Sequence, residues 1–151
     1  MIGVPAYVAR EAAISSVINA AISAAFFLVV FGFGATVPVW GLGNFVLDLV
    51  PQTFAVVFFA SFVPSLLANR AISAGKIAAV SIAPAAALTV FKTAVVQATA
   101  AVIVGVAIWA AFLWLAGTQE ITATTAFAIK VIYGALLGAS VTFNRLRAML
   151  A

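Results

Sequence analysis

Cysteine and histidine are both missing from this 151-residue chain, and it has only three acidic residues. Without thiols there is no disulfide, no thiolate nucleophile and no cysteine-held zinc or iron–sulfur centre. Without imidazole there is no histidine proton shuttle and no histidine ligand for haem, chlorophyll or a transition metal. The side-chain carboxylates are Glu11, Asp48 and Glu120, and no metal site is expected from them. A nucleophile–base pair would have to combine serine or threonine with lysine. Spacing puts no such nucleophile beside Lys130, the one lysine expected inside a span. The chain is therefore read as non-enzymatic, with no cofactor held by residue chemistry.

Charge of either sign is scarce too. Charged residues make up 7% of the chain and apolar residues 67%, whereas soluble domains carry roughly 25% and about half. A soluble domain of this size could not cover its surface with so few polar groups, so hydrocarbon is the expected solvent. The net charge of +4 comes from scattered basic residues. They form no cluster able to follow a phosphate backbone, so nucleic acid is not an expected partner.

What is present is a set of long apolar runs. Four windows reach the roughly 20 residues that a membrane-crossing helix needs: about 13–36, 45–68, 93–116 and 124–143. The third helix is expected to start near Pro84, because a proline restrains its predecessor but suits a first helical turn. That helix, about 84–116, would project beyond its span. The first window, although it follows Arg10, is read as a retained helix rather than a signal sequence. The resulting expectation is an all-α, polytopic membrane protein: one membrane domain, residues 1–151, with four transmembrane helices in an up-down bundle.

Six of the seven basic residues sort to one side of such a bundle. Arg10, Arg70, Lys76, Lys92, Arg145 and Arg147 fall at the N-terminal stretch, the 69–92 connection and the C-terminal stretch. The positive-inside rule then puts both ends and the basic connection 69–92 in the cytoplasm, as in a multi-pass protein of a cell's inner membrane. Arg70, Lys76, Lys92, Arg145 and Arg147 are expected to anchor that interface, with Trp40 in "VPVWGLGN" anchoring the opposite one. A short likeness between "ASFVPSLLANRA" (60–71) and "ASVTFNRLRA" (139–148) suggests duplicated hairpins, but it is built from common residues and is read as coincidence.

Each expected helix carries polar or small residues at steps of four, and such residues share a helix face. These are Asn19 and Ser23 in the first helix, Asp48 and Gln52 in the second, and Gln97, Ala101 and Gly105 in the third. The fourth has Lys130, Gly134 and Gly138. Small residues let helices approach in lipid, and amides bond across them, so packing is the expected use of these faces. Asp48 and Lys130 leave three readings open. In the first, Asp48 is an N-cap before Leu49, Val50 and Pro51, with Lys130 snorkelling to the surface. They could instead form a structural ion pair, or line a transport route. Trimming of helix ends is the preferred expectation.

The expected function is that of a small structural or accessory membrane subunit, packing with copies of itself or within a larger membrane complex. Membrane lipids are its expected surroundings, and lipid, quinone or carotenoid would suit its apolar grooves. The alternative is a small-solute or proton-coupled transporter acting as an oligomer, with Asp48 and Lys130 in the pathway.

Overall fold

In the computed structural model the described residues are 3–77 and 86–150. Pro84, where the third helix was expected to start, lies outside them. Besides turns, the described residues form four helices and two three-residue strands: α1 Val4–Phe31, β1 Thr36–Pro38, α2 Phe45–Ser73, α3 Ala87–Leu115, β2 Glu120–Thr122 and α4 Ala123–Leu150. All four helices are long and apolar enough to cross a membrane.

At 1.5 Å per residue, each helix is about 42–44 Å long, well beyond a hydrocarbon core of about 30 Å. This explains why the apolar windows undercount the helices. α1 begins at Val4 rather than near residue 13, with a proline in its first turn, because Arg10 and Glu11 lower the apolar score without ending a helix. α2 continues through Asn69 and Arg70 to Ser73, and α4 runs through Asn144, Arg145 and Arg147 to Leu150. At the exit of α2, the cap donates from Ala74 N to Arg70 O, and Gly75 takes a left-handed φ of +64°. That turns the chain so that Lys76 N donates to Ala71 O at 2.9 Å, a helix ending that glycine favours.

The strands were not expected. β1 lies in the α1–α2 connection and β2 in the α3–α4 connection, and they pair antiparallel with Val37 opposite Ile121. Bonds from Val39 N to Gln119 O (2.9 Å) and from Ala123 N to Ala35 O (3.0 Å) extend the ladder. The pairing joins the two hairpins at one end of the molecule, here the loop end. Val37, Val39 and Ile121 turn inward and pack with Phe27, Phe45, Leu49 and Leu113. At the other end, Tyr7 and Val8 of α1 meet Ala68 of α2 and Leu146 and Leu150 of α4.

Helix contacts are uneven. α1 lies along α4, α2 lies along α3, and α2 and α4 meet centrally, while α1 and α2 touch only lightly. Exchanging the first hairpin for the second turns α1·α4 into α3·α2 and leaves α2·α4 and β1·β2 unchanged. The principal contacts thus follow a two-fold pattern, a relation for which the sequence offers only the short likeness noted above.

Close approach of α1 and α4 depends on Gly134 and Gly138. A Cβ on Gly134 would fall onto Ser23 Oγ and within 3.1 Å of the Asn19 carbonyl, and one on Gly138 would come within 2.8 Å of Asn19 Cγ. α3 is the outlying helix. Of its 29 residues, those buried are Val90, Ala94, Ala98 and Leu113.

Candidate functional site

The first turn of α2 is capped by Asn44, whose side chain accepts from Leu47 N at 2.8 Å. Asp48 is therefore not the cap, and Pro51 is not in a first turn but inside the helix. The cap was legible in principle, since asparagine is among the best capping residues, but the aspartate four positions on drew the assignment. With Phe45 as the first helical residue, Asp48 closes the first turn and turns into the bundle.

There it forms an ion pair with Lys130 of α4. The lysine side chain is wholly enclosed and the aspartate 11% exposed, so Lys130 does not reach outward to the surface. Its ammonium also lies 5.3 Å from the centre of the Phe31 ring and 5.8 Å from that of Phe45, within cation–π range. Both rings belong to the apolar cluster of the loop end, Phe45 as a buried member and Phe31 packed against it.

Below the pair the interior remains polar. Gln52 Nε2 donates to Ser23 Oγ at 2.8 Å and to the Lys130 carbonyl at 3.1 Å, tying α2 to both α1 and α4. Its Oε1 is buried with no hydrogen-bond partner among the described residues. Thr53 and Tyr133 hydroxyls meet at 2.9 Å, and the same Tyr133 oxygen lies 3.0 Å from where a Gly105 Cβ would be. Gly105 thus makes room for the tyrosine.

Further along, Asn19 turns back on its own helix, donating to Ser15 O (2.8 Å) and Ser15 Oγ (3.1 Å). It packs against Gly138 instead of bonding across to another helix. Ser15 Oγ donates to the Gly138 carbonyl at 3.1 Å. Thr142 Oγ1 lies 2.8 Å from Ser15 Oγ and 2.9 Å from the Ala60 carbonyl. Ala60 is four residues before Pro64, which lacks the N–H that would normally serve that carbonyl. Thr142 Oγ1 stands in donor range of this carbonyl, so α4 can supply the donor that the proline in α2 removes.

Toward the terminal end, Ser61 Oγ donates to Gln97 Oε1 at 2.7 Å, the polar link from α2 to α3. Ser65 Oγ donates to Ser61 O at 2.7 Å and accepts from Arg145 Nε at 3.2 Å. Polar contacts therefore follow one another from Asp48 at the loop end to Arg145 at the terminal end. Ser15, Thr53, Ser61, Ser65, Tyr133 and Thr142 belong to this column and were not singled out from sequence. Single hydroxyls in an apolar run carry no periodic signal, and only the helix rotations reveal them.

The remaining candidates lie apart from the pair. Ala101 is half-buried, beside Gln97 in a groove between α3 and α4. Trp40 donates from Nε1 to Thr118 O at 3.0 Å and packs on the loop-end cluster. Arg70, Lys76, Lys92 and Arg147 are exposed, while Arg145 is half-buried. Glu11 is largely buried and paired with Arg10 at 2.8 Å. Among the described residues, no group of three or more acids, histidines or cysteines stands where it could hold a metal ion.

Compared with known protein families, curated proteins and solved structures, the chain matches none.

Proposed function

We propose that this chain is a structural or accessory subunit of a membrane, built to pack through α3 with copies of itself or with a larger membrane complex. It acts without enzymatic chemistry of its own. In this reading the helices run up and down through an inner membrane and both chain ends lie on the cytoplasmic face, as the sorting of Arg and Lys indicates.

The observation that carries the proposal is the exposure of α3. Ala100, Val104, Ala107 and Ala111 share one face of this helix and all are exposed. Small residues are what a helix presents where another helix is to approach closely within lipid. The sealed Asp48–Lys130 pair supports the same reading. A pair enclosed between two helices and beside aromatic rings joins those helices, whereas a transport residue faces a water-filled cavity.

Purification in mild detergent with mass measurement of the intact complex tests this. Oligomers or a co-purifying membrane protein are expected, and Ala107→Trp on the exposed face should break them up. A dispersed monomer with no partner would overturn the proposal. One observation favours the alternative of a small-solute or proton-coupled transporter: the succession of separate polar groups along the interior, with Gln52 Oε1, which has no hydrogen-bond partner among the described residues, beside the charged pair. Flux into liposomes that is lost on Asp48→Asn would establish transport in place of the accessory role.

A further inference from the structure

α1 and α2 touch lightly and leave a groove between them of about 320 Å³. Its flanks are apolar and exposed, with Ile14 and Ile18 on α1 and Phe59 and Val63 on α2. At the terminal end it meets a second cavity, also of about 320 Å³, whose lining includes Arg10 and Lys76. Glu11 and Leu67 line both, so the two adjoin, an apolar limb beside a charged mouth, and together make the α1–α2 cleft. Each limb alone falls at the lower end of the range for small-molecule sites, about 300–1,000 Å³.

The charge of the mouth is specific. Arg10 is bonded to Glu11 at 2.8 Å, yet its side chain is 58% exposed, so guanidinium N–H groups remain free to donate. Lys76 is exposed and is brought to the mouth by the left-handed turn at Gly75. Two cations and one carboxylate leave a net single positive charge. The molecule that complements an apolar lateral groove opening onto a singly positive mouth at a membrane surface is a lipid with a singly negative phosphodiester.

We propose that the α1–α2 cleft is a binding site for an anionic phospholipid, with one acyl chain lying between Ile18 and Phe59 and the phosphate held by Arg10 and Lys76. Basic pockets between membrane helices hold anionic headgroups in this way. The proposal stands independently of the accessory role, because a transporter would hold such a lipid equally well.

The test uses the full chain in mild detergent, titrated with phosphatidylglycerol or with phosphatidylcholine of identical chains, and bound lipid is counted by native mass spectrometry. Phosphatidylglycerol is expected to bind more tightly. Lys76→Gln, whose side chain is exposed, should weaken it about fivefold, the usual effect of one cation near a lipid surface. Arg10→Gln with Lys76→Gln should abolish the preference, whereas Arg70→Gln, exposed on the same helix end, should leave it intact. Ile18→Trp should fill the groove and reduce retention of both lipids. Glycerol phosphate, which offers the headgroup charge without chains, should not compete. Equal retention of the two lipids would overturn the proposal. So would a preference that survives the double substitution, competition by glycerol phosphate, or a lipid-free dimer that Ile18→Trp dissociates.

Discussion

Asp48 and Lys130 behave as one unit because, among the described residues, each is the other's salt-bridge partner in a largely buried site. A buried pair is costly to desolvate, and removing one partner strands the other, which typically costs about 3–5 kcal/mol. Asp48→Asn or Lys130→Met should each destabilise by about that amount, measured by denaturant unfolding in detergent. The double variant should recover much of the loss, since a well-packed neutral pair is often tolerated. Additive losses would show that the two side chains act independently. At the α1–α4 seam, Gly138→Leu has no space to occupy beside Asn19. Overpacking of this kind costs typically about 1–3 kcal/mol, and the same unfolding measurement should show it. From sequence, the step of four through Lys130, Gly134 and Gly138 places these residues on one face. What meets that face, Ser23, Asn19 and Gln52, depends on two other helices and is not written in α4.

At the scale of elements, Pro64 and Thr142 illustrate how one helix corrects another. Thr142→Val should leave the Ala60 carbonyl buried without a donor, at a cost of about 1–3 kcal/mol. In a Pro64→Ala background that cost should shrink, because residue 64 then supplies the helical N–H itself. A double-mutant cycle without coupling between the two sites would reject this pairing. The strands offer a second test, made clean by the absence of native cysteine. Thr36 and Thr122 face each other across the pair, so Thr36→Cys with Thr122→Cys should cross-link on mild oxidation, read as loss of free thiols. Failure to cross-link would mean that the two connections do not pair. No local pattern announces these strands. Each is three residues long, and each pairs, among the described residues, with a connection more than eighty residues away.

At the scale of the whole molecule, the proposed arrangement puts both chain ends and the basic connection on one side of the membrane. Single cysteines replacing Thr118 or Lys76 should label from opposite sides of an intact membrane vesicle. Labelling from the same side would overturn the four-span arrangement. The existence of four long apolar helices was legible in the sequence. The full lengths were not, because charged and polar residues extend a helix into the headgroup region as readily as they end it.

What the sequence determined by itself was the apolar character of the helices and the side-chain chemistries that are missing. Apolar content, scarcity of charge and the lack of thiol and imidazole are properties of composition, independent of how helices turn. It also determined which faces were small or polar, since helical periodicity is local. The tertiary structure decided which faces meet: α1 with α4, α2 with both α3 and α4, and Asp48 with Lys130 beside the rings of Phe31 and Phe45. Those choices depend on the relative rotation and depth of helices far apart in the chain. In lipid, where apolar surface gains little by leaving hydrocarbon, close approach at glycine and satisfaction of buried polar groups select among the pairings.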